Sequence, residues 1–484
     1  MKTVAFHNLG CKVNSYELDI MQQILEEKGY VVVPFDQKAD IYIVNTCTVT
    51  NIADRKSRQM LHRAKQKNPD SVVVAVGCYV QTDLEGVEKD PAIDLAIGNN
   101  RKKDIAAILE EYLNTREAEN SGVGSSCEKT LGGKTVLDIA HTYDYEEMML
   151  TKTAEHTRAY IKIQDGCNQF CSYCAIPLAR GRVRSRLPQD ILHEIEGMVK
   201  AGYKEVVLTG IHISSYGIDF NGRETEVSSG NPAVSDYRGS SRLMELIALI
   251  HDVPGLARIR ISSLEPRIVT SENAAKLASF TKVCPHFHLS LQSGCDATLK
   301  RMNRHYTAED FERSVQALRD AYAPVVPAIT TDVIVGFPGE TPEEFLTTKA
   351  FLEKIRFYEM HVFKYSKRAG TRAAVMPGQI SEQVKAQRSD ELLEMERVQS
   401  MDFRSRYIGQ IAEVLFEEIK EIDGTEYLLG HTTDYVRVGI EIKKSAGAAQ
   451  GQAGSKLCAN EIAKVRVEKF LTEEILLGYE TDLF

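Results

Sequence analysis

Apolar residues fall into three successive patterns along this chain. In residues 1–114, short unbroken runs, Thr3–Phe6, Ile41–Val44 and Val72–Val76, alternate with segments of helical period. Unbroken β-branched runs of this length read as strands buried on both faces. Leu18, Met21 and Leu25 share one helical face behind the cap candidates Asn14 and Ser15. That alternation predicts an α/β unit, a doubly wound parallel sheet. Over 153–385, six candidate strands follow: Tyr160–Gln164, Glu205–Leu208, Arg258–Ser262, His286–Leu291, Thr331–Val335 and Met360–Phe363. Helical stretches such as Asp190–Lys200, Ala308–Ala321 and Pro342–Lys354 separate them, which predicts a partial (βα)6 barrel. A connecting helix is expected over 386–403. Over 404–471 the runs Ile411–Glu417, Tyr427–His431, Val436–Ile440 and Ile462–Phe470, with a turn at Asp423-Gly424, predict a small antiparallel β-barrel. Residues 115–152, polar with Gly132-Gly133, read as a linker, and the Gly/Ser/Ala-rich stretches 219–242 and 444–456 as surface insertions.

Composition narrows the class. A chain of 484 residues with 43% apolar and 26% charged residues can build several ordinary cores. The first residues carry no long apolar segment, and no run is long enough to cross a bilayer, so a cytoplasmic protein without a membrane partner is expected. Ten cysteines in such a chain favour metal ligands or catalytic thiols over disulfides. The net charge of −9 excludes indiscriminate nucleic-acid binding and leaves local basic patches open.

Six of the cysteines carry chemistry. Cys167, Cys171 and Cys174 stand as C-x3-C-x2-C, with Tyr173 before the last. Three thiolates so close together can hold three corners of a cubane iron–sulfur cluster and leave one iron open to a small molecule. The spacing departs from the paired arrangement of a zinc knuckle. It resembles the signature of the radical S-adenosylmethionine (SAM) superfamily. Cys11, Cys47 and Cys78 each lie just past the carboxyl end of one of the first three strands, the edge where ligands gather in such sheets. They are therefore expected to converge and hold a second cluster. At the corresponding ends of the central strands stand Thr209, Gly210, Ser290, Gln292, Gly336 and Phe363. The glycines permit close backbone approach and the polar side chains can hydrogen-bond ribose, carboxylate or amine, so with Tyr173 they form the expected SAM pocket. Cys127, Cys284, Cys295 and Cys458 are read as structural thiols.

Basic residues cluster in spite of the acidic total. Arg180, Arg182, Arg184 and Arg186 follow the Cys174 loop, and Arg55, Lys56, Arg58, His62, Arg63, Lys65 and Lys67 lie on a predicted helix behind Cys47. Both groups adjoin a cysteine loop, so phosphate contacts that bring RNA to the site are expected.

The segments Gly10-Cys11-Lys12-Val13-Asn14-Ser15-Tyr16-Glu17, Asn45-Thr46-Cys47, Val76-Gly77-Cys78 and Gly166-Cys167-Asn168 through Arg180-Gly181 resemble the methylthiotransferases. The Cys-Lys-Val-Asn-Ser-Tyr-Glu wording looks most like the branch acting on threonylcarbamoyladenosine in tRNA. Other branches modify isopentenyladenosine in tRNA or a ribosomal protein. The resemblance implies two 4Fe–4S clusters and SAM as cofactors and the tRNA anticodon region as partner. It further implies an electron donor such as a flavodoxin or ferredoxin, a sulfur donor that the residues leave unnamed, and a terminal barrel of the RNA-binding TRAM type. Adenine C2–H is neither acidic nor electrophilic, so sulfur insertion there calls for a radical, which one-electron cleavage of SAM supplies. No residue reads as a general acid or base. A non-enzymatic iron–sulfur electron carrier is the contrasting class; it would need no SAM pocket.

Overall fold

A computed structural model describes residues 1–120, 135–152, 157–220, 238–442 and 457–481. Cys127, residues 221–237 of the first insertion and all of the second lie outside them.

The first unit is a five-stranded, all-parallel sheet. Its order is Val31–Val32, Thr3–Asn8, Ile41–Thr46, Val72–Gly77 and Leu95–Ile97. Every residue of the inner strands Ile41–Thr46 and Val72–Gly77 is buried, as an unbroken apolar run requires of a strand covered on both faces. Apolar clusters lie on either side of the sheet. The first helix, Lys12–Glu27, begins earlier than expected. Its N-cap is Cys11, and Asn14 and Ser15 are inside it. Asn14 is buried because its amide ties two loops, donating to the carbonyls of Leu9 (2.7 Å) and Thr46 (3.0 Å).

Six parallel strands form the central half-barrel: Ala159–Asp165, Glu205–Gly210, Arg258–Ile261, His286–His288, Ala328–Val335 and Glu359–Lys364. Isolated parallel bridges, Ile259 with Val283 and Leu264 with Leu289, carry the wall from the third strand to the fourth. A two-residue strand, Arg184–Ser185, runs antiparallel along the first. Helices Ala308–Tyr322 and Pro342–Ile355 both begin with capping boxes, Thr307/Asp310 and Thr341/Glu344. The largest core joins these strands and helices, and Tyr16 and Ile20 of the Lys12–Glu27 helix belong to it. That helix therefore docks the first sheet onto the half-barrel. Residues expected to be a linker are packed where described: Met148 and Leu150 are in the same core, and Tyr145 Oη donates to the carbonyl of Lys162.

The long helix Glu382–Ser405 leads to a closed barrel of Ile411–Ile422, Thr425–Thr432, Arg437–Glu441, Ile475–Glu480 and Ile462–Phe470, in that order around the barrel. Two corrections follow. The pairing of Arg437–Glu441 with Ile475–Glu480 is parallel, so the barrel is mixed rather than antiparallel. The strand Ile475–Glu480 also lies beyond residue 471, where the unit was expected to end, and without it the barrel would not close. The Asp423-Gly424 turn has positive φ at both residues (50° and 79°), matching a tight hairpin.

The barrel's Thr425–Thr432 and Arg437–Glu441 hairpin plugs the amino-terminal end of the half-barrel. Arg258 donates to the carbonyls of His431 and Glu413, and Arg260 to those of Thr433 and Thr432. Tyr435 stacks between His431 and His286, under the guanidinium groups of Arg158 and Arg260. With that floor closed, the open end of the half-barrel is its carboxyl rim. No described helix is long and apolar enough to cross a membrane.

Candidate functional site

Strand order brings the first cysteine triad together. Cys11, Cys47 and Cys78 follow three strands that are neighbours in the sheet. Gly10, at φ +112°, presses so close that an added Cβ would lie 3.1 Å from Cys47 Sγ. The Cys11 thiol donates to Asn14 Oδ1 at 3.8 Å, and Asn99 Nδ2 donates to Cys78 Sγ at 3.6 Å. Cys47 is fixed through its backbone, its N–H donating to Ser57 Oγ and its carbonyl accepting from the same hydroxyl. Burial, reinforced by Cys78 and Cys11, pushes the Cys47 thiol up to about 12.

The second triad sits on the loop after the first half-barrel strand. Gly166, at φ +69°, is obligatory there, since a Cβ would come within 1.8 Å of the Arg182 carbonyl oxygen. Cys167 N–H donates to the Gly181 carbonyl (3.0 Å) and Cys174 N–H to that of Cys171 (3.0 Å). Ser172 anchors the loop, donating from N–H to Met302 O and from Oγ to Arg301 O. Burial, with Cys171 next, pushes the Cys174 thiol up to about 12, and burial, with Cys174 next, pushes Cys167 higher still. Arg304, unremarked in the sequence, donates from Nη1 to Cys171 Sγ at 3.2 Å.

Tyr173 stands on this loop, and the other expected SAM-pocket residues stand at or just past the carboxyl ends of half-barrel strands. Tyr173 meets Phe337 edge-on, with ring centroids 6.4 Å apart. Thr209 is buried, and Gly210 packs on Gln164, where a Cβ would lie 2.9 Å from its carbonyl oxygen. Gln292 is buried at φ +70° and locked by backbone bonds to Asp332 and Ile334. Ser290 is half-buried, its carbonyl accepting from Tyr306 Oη. Gly336 N–H donates to Glu340 Oε2 at 2.7 Å. Phe363 is exposed.

Sequence reading missed two polar groups on the half-barrel. His212 lies 3.6 Å from Glu265, which also accepts from Arg267. Burial alone would raise the Glu265 carboxyl, but His212 and Arg267 hold it down at about 2. His288, Asp332 and His361 come from three successive strands, and their ligand atoms lie within 4.8 Å of one another. His288 bonds Thr330 through Nδ1 (3.0 Å) and lies 3.4 Å from Asp332 through Nε2. The signal was present as alternation, His286 and His288 opposite Phe287 and Leu289, within a run read only as a candidate strand.

The arginine run requires a correction. Arg180, Arg184 and Arg186 are buried. Arg180 and Arg184 pair with Asp165, and Arg186 with Glu194 and Glu147. Buried guanidiniums already paired with carboxylates, all buried but Glu147, present nothing to a phosphate. Arg182 alone of the four is exposed, 4.5 Å over the Phe170 ring. On helix Asn51–Lys67, by contrast, Arg55, Lys56, Arg58, His62 and Arg63 are all exposed, while Lys65 and Lys67 turn back to Asp94 and the Asp36 carbonyl. Cys284 and Cys295 are buried and Cys458 is exposed.

Comparison with known proteins finds matches to both the first unit and the half-barrel. The family described as Uncharacterized protein family UPF0004 matches residues 3–98, and the Radical SAM superfamily matches residues 161–352. The chain is 40% identical over 439 residues to the threonylcarbamoyladenosine tRNA methylthiotransferase MtaB of Bacillus subtilis (strain 168), covering 90% of each. The chain belongs to the methylthiotransferase family. The MtaB of Aquifex aeolicus is 36% identical over 90% of this chain and 98% of its own. A tRNA-2-methylthio-N(6)-dimethylallyladenosine synthase of Carboxydothermus hydrogenoformans is 35% identical over 87% and 89%. Among solved structures, the radical SAM methyltransferase TsrM of Kitasatospora setae shares the fold, with a TM-score of 0.54 over 77% of each chain at 16% identity. This methylthiotransferase is thus a radical SAM enzyme whose cofactors are SAM and 4Fe–4S clusters. The donor sets fit that requirement. Each rim gathers three thiols, and burial favours the protonated form of Cys47, Cys167 and Cys174, so a cationic iron–sulfur core is what would hold these as thiolates.

Proposed function

We propose that this enzyme converts N6-threonylcarbamoyladenosine next to the anticodon of tRNA to its 2-methylthio derivative. The observation that carries the reading is the pair of cysteine triads on adjoining rims, in a chain 40% identical over 90% of its length to a curated enzyme of that name. Cys167, Cys171 and Cys174 would hold the cluster that cleaves SAM, and Cys11, Cys47 and Cys78 the auxiliary cluster that delivers sulfur. When bound, SAM and the first cluster supply the radical chemistry that an inert C2–H demands.

The chain's own task is to bind, orient and exclude water. Tyr173, Thr209, Gly210, Ser290, Gln292 and Gly336 surround the radical loop as SAM contacts, with Phe363 at the rim. The Tyr435 plug keeps water out from below. His288, Asp332 and His361 offer donors and an acceptor suited to the hydroxyl, carboxylate and urea groups of a threonylcarbamoyl side chain, which an apolar isopentenyl group would leave unpaired. RNA contacts move from the buried arginines to Arg182 and the exposed cations of helix Asn51–Lys67, aided by the terminal barrel acting as a TRAM-like module. A flavodoxin or ferredoxin fits as electron donor.

Mass spectrometry of nucleosides after reaction with fully modified tRNA, and with tRNA lacking the threonylcarbamoyl group, tests the reading. Methylthiolation of the first alone is expected. Equal reaction of both, or reaction only of isopentenyladenosine, rejects the substrate.

A further inference from the structure

The buried charges between the two cysteine triads do not cancel. Glu17, on the helix that Cys11 caps, pairs with Lys102, Lys162 and Arg180. Asp165, at the end of the strand leading into Cys167, pairs with Lys162, Arg180 and Arg184. All six side chains are buried. Four cations therefore share two carboxylates. Glu146, a further carboxyl that acts on this network, is pushed toward its neutral form by burial. An excess of buried positive charge is costly unless something anionic sits against it. Three thiolates on a resting cubane core leave a net negative charge at each cluster, so two clusters supply that counter-charge.

Geometry concentrates the link on three consecutive residues. The Ala179 carbonyl accepts from Asn99 Nδ2 at 2.7 Å, and the same amide reaches Cys78 Sγ. Arg180 Nη2 donates to Asn14 Oδ1 at 2.7 Å, the acceptor of the Cys11 thiol. Its Nη1 donates to Glu17 (2.8 Å) and Asp165 (3.1 Å). The Gly181 carbonyl accepts the Cys167 N–H. Gly181 sits at φ +67°, where an added Cβ would come within 2.1 Å of the Ile139 carbonyl oxygen. Arg180 also acts electrostatically on Cys11, Cys47 and Cys78.

We propose that Ala179-Arg180-Gly181 straps the auxiliary triad to the radical triad, with Arg180 a positioning residue whose single positive charge serves both clusters. Each cluster's charge then sets how readily the other is reduced. This rests on the two-cluster reading above.

The test is a potentiometric titration of the full-length, anaerobically reconstituted protein, followed by electron paramagnetic resonance and iron analysis. Replacing Cys11, Cys47 and Cys78 together with Ala removes a negative neighbour, so the radical cluster should become easier to reduce. Its reduced-to-oxidised ratio at fixed potential should rise about tenfold, the effect of a unit charge at roughly 10 Å and an effective dielectric of about 20. Arg180→Met should make both clusters harder to reduce by a similar factor. Arg180→Lys keeps the charge and should restore the ratios, even though it loses the forked contact. A radical cluster whose ratio stays within about twofold of wild type without its neighbour overturns the proposal, and that measurement stands even if Arg180→Met fails to fold. Two clusters with independent potentials refute the strap alone; a wild-type protein that loads one cluster refutes the two-cluster reading with it.

Discussion

Tyr435→Ala removes the ring that seals the floor of the half-barrel. That ring lies 4.4 Å from His431 and 5.0 Å from His286, at interplanar angles of 15° and 27°. The guanidinium carbons of Arg260 and Arg158 stand 4.7 and 4.9 Å from its centroid. Each stacked pair contributes about 0.5–1.5 kcal/mol and each cation–π contact about 0.5–1 kcal/mol where solvent still reaches, so the substitution should destabilise the docked barrel by about 3 kcal/mol. Tyr435 holds φ at +73°, a conformation that costs a non-glycine residue about 1 kcal/mol. Alanine keeps that strain and glycine relieves it. Tyr435→Gly should therefore be more stable than Tyr435→Ala by about 1 kcal/mol, although it buries less. Tyr435→Phe, which keeps the ring, should lose less than about 1 kcal/mol. Chemical denaturation under anaerobic conditions reads all three. A parallel assay counts SAM molecules cleaved per methylthiolated nucleoside, a ratio that should rise as water enters through the opened floor. An alanine variant within about 0.5 kcal/mol of wild type, or a glycine variant less stable than it, would refute the reasoning.

Changing Cys167, Cys171 and Cys174 together to Ala should remove about half of roughly eight irons and abolish reductive SAM cleavage, measured by iron analysis and chromatography. Cys47→Ala or Cys78→Ala should retain SAM cleavage and lose thiolated product in the same assay. The Glu205 carboxyl is buried, which raises its pKa, yet Arg260 holds it below the ordinary range, and Glu265 is held at about 2. Because folded values lie below unfolded ones, their stabilisation is complete above about pH 5 and fades as pH falls toward the depressed values. The denaturation midpoint should accordingly drop between about pH 5 and pH 3, with a shallower drop in Glu205→Gln. Replacing Arg55, Arg58 and Arg63 with Ala should reduce the salt dependence of tRNA binding by about three units of logarithmic slope. An unchanged slope places the RNA elsewhere.

How much was legible in the sequence follows from what kind of physics carried each feature. Parallel strands buried on both faces announce themselves locally, so Ile41–Thr46 and Val72–Gly77 were readable, and the six half-barrel strands were readable from their alternation with helical stretches, and with them the rim on which the cysteines meet. Strand Ile475–Glu480 was not, because Leu476 and Leu477 look like any short apolar stretch until closure of the barrel gives them a partner. The arginines failed for a related reason. A run of arginines reads as solvated charge unless one knows that Asp165 faces Arg180 and Arg184, and that Glu194 faces Arg186. Those partners come from a strand end and a different helix, so only the tertiary fold unites them. The same burial that removes these guanidiniums from RNA is what brings Arg180 beside the cysteines of the proposed auxiliary cluster. A charge in contact with water is screened by it, whereas Arg180 is buried in a network of four cations and two carboxylates, whose excess positive charge reaches the cysteines around it with little screening. The motif that looked like an electrostatic footprint for nucleic acid is thus better understood as the seam between two cysteine triads, and the exposed face of helix Asn51–Lys67 is the surface proposed to meet the tRNA.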